Sequence, residues 1–421
     1  MDKSSISSTL LAPDIMLFEL SNGLRVIHKM LYGSRLVYCG IIFDLGSRDE
    51  PLAGMVHFIE HMLFKGTQTK SVLQILNRLD IVGGELNAYT TKEKTCLHAT
   101  VTRRFYARAL ELLIDMAFHS IFPAGEIEKE KKVIAEEIEM YSDTPEESIS
   151  DEFEALIFPG HPLGNPILGT KETLLQFTKE NLFSFYKQYY TPSRAIISII
   201  SGSPFSLTEK IIRELAPSNL PSNGAILERK APSITAAAQK KILKRPIQQA
   251  HFILGSTAYP AYHPRWPTFN LLINHLGGPF MNSRLNLSIR EKYGLTYNLY
   301  AFYNAFCDSG IWGVYAGTEP SSTEKVLELV QQQLYNLQKE PMHPKNLEKI
   351  KRQHLGFLEI ARENHNNQLM QQARDLLALG RIQTLEEYAQ LVQNITPEEL
   401  QSVAIEMFDT SKLNLLIYEP A

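Results

Sequence analysis

Apolar and polar positions along the chain change period repeatedly, and each change predicts an element. Residues 18–29 alternate on either side of Asn22-Gly23, a dipeptide that favours a tight hairpin, so two short strands are expected there. Residues 36–45 form an apolar run of strand length that breaks at the polar loop Gly46-Ser-Arg-Asp-Glu-Pro51. The stretch Gly54-Met-Val-His-Phe-Ile-Glu-His-Met-Leu-Phe64 then takes a helical period, with apolar side chains over most of its circumference and Gly66 as its stop. Further helices are expected over 71–81, 104–120, 123–141, 146–157, 171–189 and 207–215. Between them, residues 85–102 alternate as a long strand or hairpin, and 195–201 read as a buried strand.

From Ala216 the composition changes. Ala-Pro-Ser-Asn-Leu-Pro-Ser-Asn-Gly is turn-rich, and 217–238 is expected to link two domains, 1–216 and 239–421. Beyond it the pattern starts over, with a strand at 250–257, a helix at 268–276 and paired strands over 297–316. Helices at 323–337, 344–362, 385–393 and 397–408 and a last strand at 413–418 complete it. Pro344-Lys-Asn-Leu-Glu-Lys-Ile-Lys resembles Pro123-Ala-Gly-Glu-Ile-Glu-Lys-Glu-Lys, and Ile395-Thr-Pro-Glu-Glu-Leu resembles Phe177-Thr-Lys-Glu-Asn-Leu. The expected fold class is α+β: two homologous α+β rolls from a duplication, each an antiparallel-rich sheet packed with helices. If the halves are independent, a fragment ending near Ala216 should fold alone.

The helix over 54–64 carries the chemistry. His57, Glu60 and His61 fall at i, i+3 and i+4, on one face of an otherwise apolar helix. Buried imidazoles and a carboxylate need compensation, and one divalent metal compensates all three. Two His one turn apart can hold a zinc ion, and the neighbouring Glu can take a proton from its water. The pentapeptide alone leaves a satisfied His pair open as the bland alternative. Where the second half should repeat this helix, Phe269-Asn-Leu-Leu-Ile-Asn-His275 has one His and no Glu.

Composition narrows the class. The chain has 421 residues, 44% hydrophobic and 21% charged, too many for one core of usual size. A net charge of −4 without a basic run argues against nucleic acid. Cys39, Cys96 and Cys307 have no metal-ligand spacing, and the first two read as reduced core residues. No run reaches transmembrane length, and the N-terminus lacks both a secretory apolar core and transit-peptide arginines. A cytoplasmic protein that does not engage membranes is expected.

A catalytic zinc needs a third protein ligand. The acidic stretch 126–139 offers six glutamates, and helical geometry sorts them. Ile127, Ile134, Ile138 and Tyr141 define a buried face, with Glu130 and Glu137 on its shoulder. Glu136 points about 160° from Ile134 at 100° per residue. Glu128, Glu136 and Glu139 read as a solvated face, and Glu137 is favoured as ligand over the same bland reading. Glu130 is expected as an outer partner of a ligand imidazole.

His57-Phe-Ile-Glu-His-Met-Leu-Phe-Lys-Gly-Thr67, followed by Glu130 and Glu137, resembles the insulinase–pitrilysin family of inverted zinc peptidases. It looks most like the branch of the mitochondrial processing peptidase β-subunit and bacterial processing-type peptidases. The resemblance extends over almost the whole chain, including Gly83-Gly-Glu-Leu-Asn-Ala-Tyr-Thr-Thr-Lys-Glu-Lys-Thr95. It implies Zn2+ held by His57, His61 and Glu137, with Glu60 as general base. It also implies that Asn87 and Ala88 lie on an edge strand that receives a peptide or unfolded polypeptide as an added strand. Arg290 and Tyr297 resemble the family's Arg/Tyr pair, which grips substrate and stabilises the oxyanion. Unaided, they read as a surface Arg and a strand aromatic. Relatives of this length imply a dimer, with itself or with a second chain. Met55-Val56 and the short glycine run at Gly277-Gly278 depart from the pattern and bear on substrate preference. His28, His98, His119 and His161 stand alone and read as structural. A second class stays open, a non-catalytic scaffold or partner-binding subunit, although such relatives typically lose the motif kept here.

Overall fold

The hairpin around Asn22-Gly23 forms as expected, with Gly23 in the left-handed region and Asn22 Oδ1 accepting from Leu24 N. It belongs to a seven-stranded sheet made of β1 (Ile6–Ala12), β2 (Ile15–Leu20), β3 (Arg25–Met30), β4 (Leu36–Phe43), β5 (Glu85–Thr90), β6 (Thr95–Thr102) and β7 (Ala195–Ser201). A second, five-stranded sheet contains β8 (Lys240–Arg245), β9 (Ala250–Thr257), β10 (Thr296–Ala305), β11 (Gly310–Thr318) and β12 (Asn414–Pro420). The computed structural model describes residues 6–215, 227–233 and 238–421. Much of the expected linker, 217–226 and 234–237, lies outside the described residues.

Strand order displays the duplication directly. The first sheet runs β1-β2-β3-β7-β4-β6-β5 and the second β10-β11-β9-β12-β8. Read from β5 and from β10, the five strands correspond one to one. Each set ends in a parallel pair, β7/β3 or β12/β8, after antiparallel neighbours. Both sheets are thus mixed but antiparallel-rich, and both pack against helices, which makes the chain α+β.

Two compact units form around these sheets, and neither is contiguous in sequence. The first comprises the chain up to Ile138, Pro166–Arg229 and Arg362–Ile382; the second comprises Glu139–Asn165, Lys230–Ala361 and Gln383–Ala421. In the first, the helix His365–Leu379 lays Ala373 and Leu376 among Ile15, Leu17, Ile27, Ile42 and Ile196 of the sheet. Its Gln372 accepts a hydrogen bond from Ser198 at 2.8 Å. In the second, the helix Pro145–Ile157 places Ile149, Phe153 and Ile157 against Ile253, Ile311 and Leu416. Each fully buried Leu or Ile of such a face stabilises by roughly 1.5–3 kcal/mol.

Several elements lack a clear apolar period. β1 and β8 are edge strands with mostly exposed side chains, so pairing rather than burial defines them, and the lysines of β8 suit an edge. The helix His365–Leu379 buries Gln372 and Asp375 beside its apolar residues, which blurs its stripe. Residues 171–189 divide into Lys171–Leu175 and Lys179–Tyr189 because Thr178 caps the second helix by accepting from Asn181 N. Among the described residues, no helix is long and apolar enough to cross a membrane.

Candidate metal centre

The helix Met55–Met62 starts where only glycine fits. Gly54 has φ +89°, and a Cβ there would lie 2.6 Å from Leu168 O. With no capping side chain at Gly54, the free N–H groups of Gly54 and Val56 donate to the Glu50 carboxylate at 2.6 and 2.7 Å. The loop before the helix is clamped as well. Arg229 reaches Asp49 through two nitrogens at 2.8 and 2.6 Å, and Arg48 bonds Glu93 at 2.6 Å. Arg229 lies within the stretch 217–238 expected to link two domains, and it ties that stretch to the loop before the motif helix. The helix ends at Met62, and turns through residues 63–65 carry the chain to Gly66 at φ +121°.

Val56, Phe58, Ile59 and Met62 are fully buried in the first unit's core, Phe58 against Phe177 at 5.2 Å between ring centroids. That packing fixes the opposite face. His57 and Glu60 are buried and His61 half-buried, with the imidazole centroids 4.7 Å apart. The helix Ala124–Ser142 meets them, anchored by buried Ile127 and Ile134. Glu130 is buried and Glu137 half-buried, whereas Glu128, Glu136 and Glu139 are exposed.

His57 Nε2 lies 3.9 Å from Glu137 Oε1, and His61 Nε2 lies 3.6 Å from Glu137 Oε2. One donor atom from each of the three falls within 4.8 Å of the others. These gaps are too long for hydrogen bonds. They suit a shared cation, since donors about 2.0–2.2 Å from a tetrahedral ion are roughly 3.4 Å from one another. His61 Nδ1 is 3.1 Å from Glu130 Oε2, and Lys65 bonds the other Glu130 oxygen at 2.6 Å. With its proton on Nδ1, His61 directs the Nε2 lone pair toward Glu137, the tautomer a metal requires. His57 Nδ1 is buried without a hydrogen-bond partner.

The electrostatics favour a cation. Burial, together with His61, pushes His57 down to about 3, which leaves one ring nitrogen's lone pair free at neutral pH. Burial also pulls His61 down, but the bond to Glu130 and the charges of Glu137 and Glu60 outweigh it and leave the group raised. Burial raises Glu60, opposed by a hydrogen bond from Thr90 and by His61. Glu130 is held low, because bonds from His61 and Lys65 overcome its burial. Glu60, Glu130 and Glu137 thus gather around two imidazoles with Lys65 as the facing ammonium.

Asn87 and Ala88 sit on β5, the last strand of the first sheet, next to the motif helix; Asn87 is exposed and Ala88 half-buried. Arg290 and Tyr297 belong to the second unit. Arg290 lies in a π-helical stretch, Asn286–Glu291, with its guanidinium 4.9 Å from the Tyr297 ring centroid. Tyr297 is 81% exposed and occupies a register shift on β10, the edge of the second sheet. The four histidines read as structural have local partners: His28 bonds Ser201 and Thr208, and His161 bonds the Lys230 carbonyl. His119 lies 3.4 Å from Asp115, and His98 stacks edge-on to Tyr89. Cys39 and Cys96 are buried and Cys307 is exposed, and none of the three is in a disulfide. Sequence reasoning missed Glu50, Lys65, Thr90 and Arg229, each of which acts through a neighbour and carries no motif of its own.

The family profile described as Insulinase (Peptidase family M16) matches residues 25–171, and the one described as Peptidase M16 inactive domain matches residues 176–354. A Bacillus subtilis protein named "Uncharacterized zinc protease YmxG" is 34% identical, covering 96% of this chain and 98% of the relative. An uncharacterized zinc protease of Mycobacterium leprae is 31% identical over 93% and 88%. Two crystal structures share the fold at a TM-score of 0.88. A peptidase M16 inactive domain from Pseudomonas fluorescens is 21% identical and covers 97% of this chain and 98% of its own. A protease from Helicobacter pylori is 19% identical and covers 99% and 100%.

Proposed function

Since this chain belongs to the insulinase family, peptidase family M16, we propose that it is a zinc metalloendopeptidase acting on peptides or unfolded segments. The observation that carries the reading is the convergence of His57, His61 and Glu137 beside Glu60, which leaves three donors facing one point and a carboxylate next to it. In this proposal the three donors hold Zn2+, and Glu130 fixes the His61 tautomer. Zinc so held supplies polarisation of the scissile carbonyl and a water of lowered pKa. Glu60 accepts the proton of the attacking water as its oxygen bonds the acyl carbon, then returns it to the leaving amine as the C–N bond breaks. Asn87 and Ala88 receive the substrate as an added strand along β5, where main-chain bonds give affinity with little sequence preference. Arg290 and Tyr297 supply hydrogen-bond donors for the oxyanion. On the motif residues we place the chain with the processing-type branch of its family and expect a dimer in sedimentation.

The test combines metal analysis with cleavage of a quenched, unstructured peptide and of a folded protein containing the same segment. The reading predicts about one zinc per chain, hydrolysis of the peptide and resistance of the folded protein. A chain that binds zinc, forms stable complexes and hydrolyses nothing would instead be a partner-binding subunit.

A further inference from the structure

We propose that Thr90 is a positioning residue for Glu60, holding one carboxylate oxygen so that the other faces the attacking water. The inference rests on the peptidase reading above and adds a residue to it. Thr90 Oγ1 donates to Glu60 Oε2 at 2.6 Å, the one hydrogen bond given to that carboxylate by a side chain outside its own helix among the described contacts. With Oε2 engaged, Oε1 is the atom left to take the proton from water and return it to the amine, while the threonine keeps its own proton.

The hydroxyl is carried on a stiff support. Thr90 is the last residue of β5 and pairs with Thr95 of β6, whose buried hydroxyl donates to Leu45 O at 2.9 Å. The turn between the strands is closed by Thr91 N to Lys94 O at 2.8 Å and Lys94 N to Thr91 Oγ1 at 3.0 Å. It is tied to the loop before the motif helix by Ser47 N to Thr91 O at 3.0 Å and Arg48 N to Lys92 O at 2.9 Å. A donor fixed in this way restricts a carboxylate that otherwise rotates about its last torsions, and small misplacements of catalytic groups are costly. The same strand carries Asn87 and Ala88 on its free edge, so one rigid element sets both the register of an added peptide strand and the aim of the base.

Thr90→Val keeps the shape and removes the donor; Thr90→Ser keeps the donor. On zinc-loaded protein with a quenched peptide, we expect Thr90→Val to lower kcat about tenfold with KM and zinc content unchanged, and Thr90→Ser to stay within about twofold of wild type. Because Thr90 acts through Glu60, Thr90→Val placed on Glu60→Gln should cause no further loss. Thr90→Ala serves as the donor-free variant should the valine disturb the strand, with the same expectation. Wild-type kcat in Thr90→Val and Thr90→Ala overturns the inference, as does Thr90→Ser impaired equally with them. Loss of zinc in parallel with kcat, or a further tenfold loss on Glu60→Gln, also overturns it. A zinc-loaded wild-type chain without any activity overturns the peptidase reading itself.

Discussion

Two helices in this molecule follow corresponding strands, β4 and β9, and present the same spacing with different chemistry. On Met55–Met62 the i, i+3, i+4 face carries His57, Glu60 and His61. On Trp266–Gly277 the same spacing carries Leu271, Asn274 and His275, which line a small cavity together with His354. Among the described residues, no carboxylate lines that cavity. Burial pushes both of its imidazoles down to about 4, His275 with help from Arg284. In the first unit burial lowers His57 in the same way, but Glu130, Glu137 and Glu60 oppose it at His61 and leave that group raised. A duplicated fold therefore gives two similar platforms, and the acidic side chains around one of them create the demand for a cation.

The two platforms should differ most sharply at the donors. His57→Ala, His61→Ala and Glu137→Gln are each expected to lose both zinc and turnover, while Glu136→Gln keeps both, as read by elemental analysis and peptide cleavage. A similarly large effect is expected from truncation. A chain ending at 216 lacks the helix His365–Leu379 and uncovers Ile15, Ile27, Ile42 and Ile196, so it should be aggregated or poorly folded by circular dichroism and light scattering. This reverses the expectation that the N-terminal half folds alone. Glu60→Gln should retain zinc and lose about 10²-fold or more in kcat. Glu130→Ala should weaken zinc about 10–100-fold in competition with a chelator, because His61 loses the acceptor that fixes its tautomer. His275→Ala is expected to change zinc content and kcat by less than about twofold; a loss of zinc there would mean that the second platform also holds metal.

Much of this was legible in the chain. The motif helix could be read because its apolar residues and its three polar ones keep separate faces. The acidic helix could be read because Ile127 and Ile134 fix its rotation and so separate Glu130 and Glu137 from Glu136. What could not be read depends on contacts between distant segments. Arg229 looks like a linker residue until it meets Asp49, and Thr90 like any strand-end threonine until it meets Glu60. The exchange of the helices Pro145–Ile157 and His365–Leu379 between units is invisible to local periodicity, which reports that a helix is amphipathic and not which sheet it covers.

On the proposed function, one metal centre, built by the first unit, drives hydrolysis. Stripping the wild-type chain of metal and returning zinc stepwise, with cleavage of an unstructured peptide followed at each step, tests it most directly. Turnover should be absent in the stripped protein and rise with zinc until about one equivalent per chain is bound, then level off. Cleavage by the metal-free chain, or activity that appears only after a second equivalent has bound, would contradict it.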